Sequence, residues 1–334
     1  MKQAIGEPVH PARNWKRLYA PIAAELAAAE DLLRSELSSD DPFVDRLVKH
    51  AFRLGGKRLR PALLLLAAKA SGKVVRDHVV LAAVVEMIHT ATLVHDDILD
   101  EADLRRHRET INATSGNEAS VLVGDFLFTH AFYLASSLET THACQMIGRA
   151  TNIVCAGELR QIHGRGNFEL SEAEYLSIIE AKTAELCACC CRLGAHYAGV
   201  SLACQDSLDR YGRNLGIAFQ IADDLLDLVG HEISMGKSLG TDLEKQKMTL
   251  PLIRLLAEST PPERAEIIEL LASNNRADRS QINLWLERSD ALDYTHEKAC
   301  RYADAAREAI RHLSPSRERE VLAALTELVV SRHD

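Results

Sequence analysis

Apolar residues recur at three- and four-residue spacing through nearly the whole chain from about Leu18 onward. The segments YAPIAAELAAAEDLLRSEL and DRLVKHAFRL both follow this spacing. The pattern is typical of amphipathic helices, and no stretch shows the sustained period-two alternation that strands require. Ala and Leu dominate the apolar residues and aromatics make up only 5% of the chain, which also favours helix over sheet. The sequence therefore predicts an all-α protein.

The length and the helix breaks indicate one large domain. The chain has 334 residues, 47% of them hydrophobic, which is enough for a sizeable core. Residues 1–18 contain two prolines and scattered charge and are predicted to be a loose arm, leaving 19–334 as the domain. Segments 79–94 and 212–229 are apolar most of the way round and should be central. We expect a single large helical bundle with a central apolar cavity. Breaks are predicted at 55–56 with Pro61, 71–72, 115–116, 164–166, 236–240, 251 and 261–262.

Charge and cysteine usage exclude several classes of protein. The net charge of −9 argues against general nucleic-acid binding. Eight cysteines with no apolar signal core in the first twenty residues predict reduced thiols and a cytoplasmic protein. The longest apolar stretch, 79–94, is interrupted by Glu86 and His89, so no transmembrane segment is expected. The four cysteines within 187–191 would spread around a helix, and we interpret them as small buried residues rather than a metal site.

An Asp-Asp-x-x-Asp motif occurs twice, each time after a strongly apolar helical run. Aspartates four apart share a helix face, and two such faces aimed at each other would form a cage of carboxylates. Crowded carboxylates beside apolar residues are costly unless a cation lies among them, and Mg²⁺ that keeps waters and phosphate oxygens fits that need. A lone motif of this kind is usually a solvated helix end, so the repetition favours the metal site. The two motifs are Asp96, Asp97 and Asp100, and Asp223, Asp224 and Asp227.

Four basic motifs accompany the acidic ones. Arg binds phosphate bidentately and Lys binds it as a point charge. Each motif alone is equally compatible with solvated surface or with a counter-charge for the aspartates, but the set favours phosphate binding. The motifs are GGKRLRP with Lys57 and Arg60, the pair Arg105 and Arg106, the pair Lys182 and Thr183, and MGKSLGTDLEKQKMTLP with Lys237 and Lys247.

In this order and spacing, the motifs resemble the trans-isoprenyl diphosphate synthase family. The quoted segments are GGKRLRP, HDDILDEADLRR, AKTAEL, FQIADDLLD and GKSLGTDLEKQKMTLP. The resemblance extends from about residue 20 to the C-terminus and is strongest to long-chain members such as octaprenyl and solanesyl diphosphate synthases. It implies the isoprenoid synthase bundle, a homodimer, and successive head-to-tail condensation of an allylic diphosphate, farnesyl or geranyl, with isopentenyl diphosphate.

The resemblance also implies a role for each motif residue. Asp96 and Asp100 would hold two Mg²⁺ ions and Asp223 a third, with Asp97, Asp224 and Asp227 around them. The allylic diphosphate would contact Arg105, Lys182, Thr183, Gln220 and Lys237. Isopentenyl diphosphate would contact Lys57, Arg60, His89 and Arg106, and Lys247 would assist the leaving diphosphate. The six aspartates with Lys182 and Lys237 would form the catalytic set.

Two positions depart from the family pattern, which usually has glycine where this chain has His107 and Gln246.

The resemblance also bears on product length, which the family limits with bulky side chains upstream of the first acidic motif. Here those positions are Ile88, Ala91 and Thr92. Because none of these side chains is aromatic, the growing chain is not blocked at these positions. We therefore predict a long product of about eight isoprene units, which needs a tunnel several helix diameters deep. The alternative is a geranylgeranyl-length or farnesyl-length product, with Ala91 packed against a neighbouring helix and the stop elsewhere.

Three other classes of protein are weighed against this interpretation. A terpene cyclase would lack the Gly-Gly-Lys and Arg-Arg sites for a second diphosphate, and both are present. A non-catalytic subunit of a heteromeric synthase should have degraded acidic motifs, and these are intact. A purely structural bundle does not account for six charged motifs beside apolar helices.

Overall fold

Helices make up nearly all of the described chain. The computed structural model describes residues 15, 17–53, 56–229, 241–273 and 279–331. Most of the predicted N-terminal arm lies outside these ranges, and its boundary at residue 18 stays a prediction. Trp15 is described; it is buried and meets the Tyr19 ring edge-on, with 5.8 Å between ring centroids.

The helices follow one another with short connections. In chain order they are a 3₁₀ turn Ala20–Ile22, α1 Ala23–Glu36, α2 Pro42–Arg53, α3 Leu59–Ser71, α4 Arg76–Leu99, α5 Ile111–Ser136, α6 His142–His163, α7 Glu172–Ile179, a π-helix Glu180–Ala184, α8 Glu185–Tyr197, α9 Leu202–Val229, α10 Thr241–Glu244, α11 Leu250–Glu258, α12 Pro261–Ser273, α13 Arg279–Arg288, α14 Ala291–Ala309 and α15 Arg317–Val330. This order confirms the all-α class predicted from the apolar spacing.

The core is built around helices that are buried on most sides. In α3, residues 61–68 are buried, and in α4, residues 80–88 are buried. Helix α4 packs mainly against α5, α3 packs against α8, and α9 packs against α8 and α14. Close packing of α9 depends on Gly216, because a Cβ there would lie 2.5 Å from Ala184 Cα. The two segments predicted to be central, 79–94 and 212–229, therefore lie in the interior as expected.

The helix boundaries agree with the predicted breaks where those breaks are described. Helix α2 ends before the Gly-Gly pair, α3 ends at Ser71 and α6 ends at His163. At 115–116 the helix kinks rather than ends, since Gly116 has φ 84° and ψ 171° inside α5. Pro251 and Pro261 lie in the first turn of α11 and α12, where a missing N–H costs nothing. The break at 236–240 lies outside the described residues.

Two local features were not predicted from the sequence. A short antiparallel hairpin pairs β1 Leu104–Arg105 with β2 Arg108–Glu109. Its two loop residues, Arg106 and His107, have φ of 51° and 61°, as a type I′ turn requires. The second feature is the π-helix at 180–184, a rare local widening that is frequent at functional sites. Both features carry residues of the predicted active site.

Two described helices, α4 and α5, are long and apolar enough to cross a membrane by length and composition. In α4, 72% of the most apolar window is buried inside the protein, whereas in α5 the share is 39%. Helix α4 is thus a core helix, and α5 exposes much of an apolar surface. The predicted absence of a transmembrane segment stays a prediction.

Candidate active site

The first acidic motif lies at the C-terminal end of α4. Asp97 is 2% exposed, and its Oδ1 accepts hydrogen bonds from Arg105 Nε at 2.8 Å and Nη2 at 2.7 Å. This ion pair ties the hairpin to α4. Arg105, predicted to contact the allylic diphosphate, is therefore held by a carboxylate of the same site.

Asp96 and Asp100 lie one helical turn apart beside different cations. Burial raises the pKa of Asp96 to about 6, although the charge of Lys182 opposes the shift. Asp100 is 41% exposed and forms an ion pair with Lys245, with Arg165 at 3.9 Å. Lys245 follows the second acidic motif in sequence, so this contact brings the segment after that motif to the first motif. Apart from the local richness in lysine, no sequence pattern indicates a role for Lys245.

The second acidic motif lies near the C-terminal end of α9. Asp224 is 1% exposed and accepts hydrogen bonds from Tyr175 Oη at 2.7 Å, Gln220 Nε2 at 2.8 Å and Lys247 Nζ at 3.0 Å. Three donors on one buried carboxylate indicate that Asp224 organises the site. Tyr175 was not predicted, because a tyrosine in an amphipathic helix gives no sign of its partner.

The other two aspartates of this motif have different surroundings. Asp227 is buried, and its Oδ2 accepts a hydrogen bond from the Asp242 backbone N–H at 3.1 Å. Asp223 is half-buried. Its charge acts on Arg106, where it opposes the lowering of the pKa by burial and by Arg105. The charges of the second acidic motif and of the Arg-Arg hairpin therefore act on each other.

Lys182 and Thr183 lie on the π-helix and connect three helices. Lys182 Nζ donates to Gln161 Oε1 at 2.8 Å and forms an ion pair with Glu158, both on α6. Thr183 Oγ1 donates to Gln220 Oε1 at 2.7 Å on α9. Glu158 and Gln161 are further residues that the sequence did not indicate. Lys182 is thereby held between α6 and the first acidic motif.

Residues predicted to hold isopentenyl diphosphate converge from α3, α4 and the hairpin. A Cβ on Gly56 would lie 2.2 Å from Arg106 Nη1, so the missing side chain lets Arg106 approach. Burial, followed by the charges of Arg60 and Arg106, holds the pKa of His89 well below its ordinary value. His89 is therefore neutral among arginines. Lys57 Nζ lies 5.1 Å from the centroid of the buried Trp15 ring.

Lys247 is tied to the second acidic motif. Its Nζ lies 3.0 Å from Asp224 and 3.1 Å from Asp242. Burial disfavours the charged amine, but the two carboxylates outweigh this effect and raise the pKa of Lys247 above its ordinary value. Lys237 lies outside the described residues, so its predicted contact with diphosphate stays a prediction.

The donor set suits a hard divalent cation that brings its own water and phosphate ligands. Within the described ranges, no three His, Cys, Asp or Glu side chains form a ready-made metal-binding group. Asp100 instead binds the ammonium of Lys245, and Asp96 is desolvated beside Lys182. Carboxylates on one helix face with cations as neighbours fit Mg²⁺ held by one or two carboxylates plus diphosphate oxygens.

The predicted chain-length residues lie on the α4 side of the core. Ile88 and Ala91 are fully buried. Thr92 is half-buried, and its hydroxyl donates to the His89 carbonyl at 2.8 Å. His95, which directly precedes the first acidic motif, packs on Gly124 and lies 3.6 Å from Asp125. The cysteines of 187–191 are buried and free of disulfides, as interpreted from the sequence.

Together, an all-α bundle and two acidic helix ends facing a cluster of arginines and lysines define an isoprenoid synthase type of protein. The model of the polyprenyl synthetase family matches residues 41–287. The chain belongs to this family, which confirms the resemblance seen in the motifs.

Similar proteins cover nearly the whole chain. The octaprenyl diphosphate synthase of Escherichia coli K12 is 36% identical over 322 residues, covering 96% of this chain and 99% of that protein. The all-trans-nonaprenyl-diphosphate synthase (geranyl-diphosphate specific) of Rhodobacter capsulatus is 37% identical over 316 residues. This match covers 94% of this chain and 97% of that protein. Among solved structures, the crystal structure of a polyprenyl synthase from Caulobacter crescentus CB15, complexed with calcium and isoprenyl diphosphate, matches with a TM-score of 0.91 and 39% sequence identity. This match covers 96% of this chain and 98% of that one. These likenesses confirm the predicted class of enzyme, a polyprenyl diphosphate synthase.

Proposed function

We propose that the protein elongates an allylic diphosphate, farnesyl or geranyl, by successive 1′–4 condensation with isopentenyl diphosphate in a Mg²⁺-dependent reaction. The observation that carries this proposal is the presence of two cationic groups, which adjoin at Arg105 of the hairpin. One group surrounds the acidic helix ends and includes Lys182, and the other surrounds the neutral His89. Two groups of this kind provide for two diphosphate substrates, whereas a cyclase needs only one.

The acidic helix ends would hold the allylic diphosphate. Asp96, Asp100 and Asp223 are the proposed ligands of three Mg²⁺ ions. Bound Mg²⁺ would neutralise the charge that develops on the departing diphosphate. Asp97, Asp224 and Asp227 are already engaged by the protein, and we assign them the task of holding the site in shape.

Cationic and polar side chains complete the allylic subsite. Lys182 is fixed by α6 residues and brings a positive charge to Asp96. Preorganised charge of this kind lowers the barrier because it does not have to reorganise during the reaction. The remaining proposed contacts are Arg105, Thr183, Gln220 and Lys237, with Lys247 assisting the leaving diphosphate.

The second subsite would hold isopentenyl diphosphate through Lys57, Arg60, Arg106 and His89. Because the pKa of His89 is lowered by burial and by the neighbouring arginines, the neutral ring can donate one hydrogen bond without adding to the repulsion among cations. Holding the double bond next to the ionising carbon turns an intermolecular step into an oriented one. The apolar wall of α4, buried from Val80 to Ile88, would exclude the water that quenches an allylic cation.

We propose a long product of about eight isoprene units, since no aromatic side chain lies between Val79 and Asp96 and the tunnel must be several helix diameters deep. The long-chain synthases to which this chain is similar support this length. A geranylgeranyl-length product is the second candidate, because full burial of Ala91 is equally expected from tight packing.

Product analysis tests the proposed function. Purified protein would be incubated with Mg²⁺, labelled isopentenyl diphosphate and farnesyl diphosphate, and the dephosphorylated products would be sized. A ladder that ends near forty carbons is the expected result. A stop at twenty carbons would retain the reaction and reject the length, and no elongation from farnesyl or geranyl diphosphate would reject the reaction.

We further propose that the protein acts as a homodimer in the cytoplasm. Helix α5 exposes Leu122 (67%) and Tyr133 (69%), and the adjacent α6 exposes Leu159 (68%). An apolar surface of this kind is normally covered, and a second copy placing the same helix against it would form an isologous interface. Eight free cysteines accord with a reducing compartment.

Light scattering after size exclusion tests this assembly. The wild-type protein is expected at twice the chain mass, and Leu122→Glu is expected to shift it toward the monomer, because a charge would be buried in an apolar interface. Leu284→Glu provides a control, since Leu284 on α13 is also exposed, at 48%, but lies on another helix. A wild-type monomer would contradict the proposal.

A further inference from the structure

Glu86 is a buried carboxylate in the middle of α4, three residues before His89. Its side chain is 2% exposed. Its Oε1 accepts a hydrogen bond from Arg58 Nη1 at 2.5 Å, and its Oε2 has no hydrogen-bond partner in the described part of the chain. A buried charge with an unsatisfied oxygen is costly, so its place in the central helix requires a compensating role.

Arg58, the partner of Glu86, lies between Lys57 in the loop before α3 and Arg60 in the first turn of α3. Its backbone is left-handed, with φ 51° and ψ 36°, immediately before α3. A non-glycine residue in this region is strained and persists only when its surroundings hold it. The Arg58 guanidinium is held on two sides, by Glu86 and by Glu30 at 3.3 Å. The ion pair with Glu86 therefore fixes the loop backbone to α4.

The same carboxylate faces the cations proposed to bind isopentenyl diphosphate. Burial raises the pKa of Glu86, and Arg58, Arg60 and Arg106 all oppose that shift. Arg60 Nε is buried and has no hydrogen-bond partner among the described residues. The charge of Glu86 thus acts on three arginines, and its hydrogen bond is with Arg58.

We propose that Glu86 and Arg58 form a buried clamp that positions Lys57 and Arg60 for isopentenyl diphosphate without touching it. This inference rests on the proposed function and deepens it by assigning two positioning residues to one of its two substrates. The allylic subsite is carried by the C-terminal end of α4, by Arg105 of the hairpin, by the π-helix and by α9. Asp96 lies ten positions after Glu86, about three helical turns further along α4, so we expect this subsite to be independent of the clamp.

A second explanation gives the opposite expectation. If Glu86 only offset the positive charge of the arginines, its removal would strengthen the attraction for a diphosphate and lower the KM for isopentenyl diphosphate. If Glu86 positions the loop, its removal raises that KM because the bidentate geometry at Arg60 is lost. The sign of the change separates the two explanations.

Steady-state kinetics of Glu86→Gln test the clamp. The KM for isopentenyl diphosphate is expected to rise about tenfold or more, since a charged hydrogen bond that is lost in a buried site costs at least that much. The KM for farnesyl diphosphate is expected to stay within about twofold, because Asp96 lies about three helical turns from Glu86 along α4 and sites that far apart usually act independently. Glu30→Gln is the matched control: Glu30 is 38% exposed, and its loss should leave both KM values within about twofold.

Arg58→Lys serves as the second variant if Glu86→Gln unfolds, as judged by circular dichroism. Lysine keeps a positive charge near Glu86 but lacks the planar fork that fixes the orientation of the ion pair, so a smaller rise in the KM for isopentenyl diphosphate is expected. An unchanged or lowered KM in both variants, with active wild-type enzyme, would overturn the clamp. A wild-type enzyme that fails to elongate farnesyl diphosphate would instead reject the proposed function.

Discussion

At the scale of single residues, two departures from the family pattern have a structural consequence. His107 and Gln246 replace the glycines that the family usually has, and their φ angles are 61° and 51°. Left-handed backbone is the conformation that glycine adopts without steric cost. The sequence identified these positions as unusual, and the structure supplies the reason.

Replacing His107 with Gly is expected to stabilise the protein by about 0.5–1 kcal/mol, because relief of left-handed strain exceeds the entropy cost of glycine. Gln246→Gly should act in the same direction. Urea denaturation measures both. Arg108→Gly is the matched control: it lies in the same hairpin, is not among the residues with positive φ, and should lower stability. A loss of stability in both His107→Gly and Gln246→Gly would contradict the interpretation.

Asp96 gives the metal-free protein a pH-dependent stability. Burial raises its pKa to about 6, compared with about 3.9 in an unfolded chain. Between those pH values the folded protein keeps a proton that the unfolded chain has lost, so the free energy of unfolding falls as pH rises through this window. Above about pH 6 the full cost of a buried charge is present.

Asp96→Asn is therefore expected to raise the Tm in EDTA at pH 8 and to raise it much less at pH 4.5, near the lower end of that window. The same variant should lose about a hundredfold or more in turnover, because a metal ligand is removed. Thermal denaturation across pH and a product assay with Mg²⁺ measure the two effects. A Tm difference that does not vary with pH would contradict the raised pKa of Asp96. Undiminished turnover would contradict its assignment as a metal ligand.

At the scale of elements, α7, the π-helix and α9 are joined by a hydrogen-bond network around one buried carboxylate. Asp224 receives hydrogen bonds from Tyr175 on α7, from Gln220 on its own helix and from Lys247 after α10. Gln220 in turn accepts from Thr183 of the π-helix. This network fixes the separation of elements that the chemistry needs.

Tyr175→Phe is expected to destabilise the protein by about 1–3 kcal/mol, since it leaves a buried carboxylate short of one donor. The turnover number should fall as well, because Gln220 and Lys247 share the same partner. Tyr294→Phe is the matched control: its hydroxyl donates to Glu172 at 2.7 Å in a partly buried site, and its loss should cost less and spare turnover. Equal effects in the two variants would show that Tyr175 has no special place in the network.

At the scale of the whole molecule, product length depends on whether Ala91 borders a tunnel. Ala91→Phe is expected to shorten the product ladder without lowering the Tm if the side chain points into space for the growing chain. If Ala91 is packed against another helix, the larger ring should cost about 1–3 kcal/mol through overpacking. Product sizing and thermal denaturation of the same preparation distinguish the two cases.

The helical class, the central helices and the identities of the charged motifs could all be predicted from the amino-acid sequence alone. Apolar spacing specifies which helix faces are buried, and the i, i+4 rule places Asp96 over Asp100 whatever the rest of the chain does. The same local rules located the helix ends at glycines and prolines. These are properties of short segments, so they can be predicted without knowledge of distant contacts.

Only the tertiary structure decided which residues support those motifs. Tyr175 meets Asp224 across 49 positions, and Arg58 meets Glu86 across 28; no local rule predicts either pair. The π-helix and the left-handed residues also escape sequence patterns, because packing between helices holds strained backbone that local propensity disfavours. Local physics therefore sets which residues carry the chemistry, and long-range packing sets which of them are held in place by others.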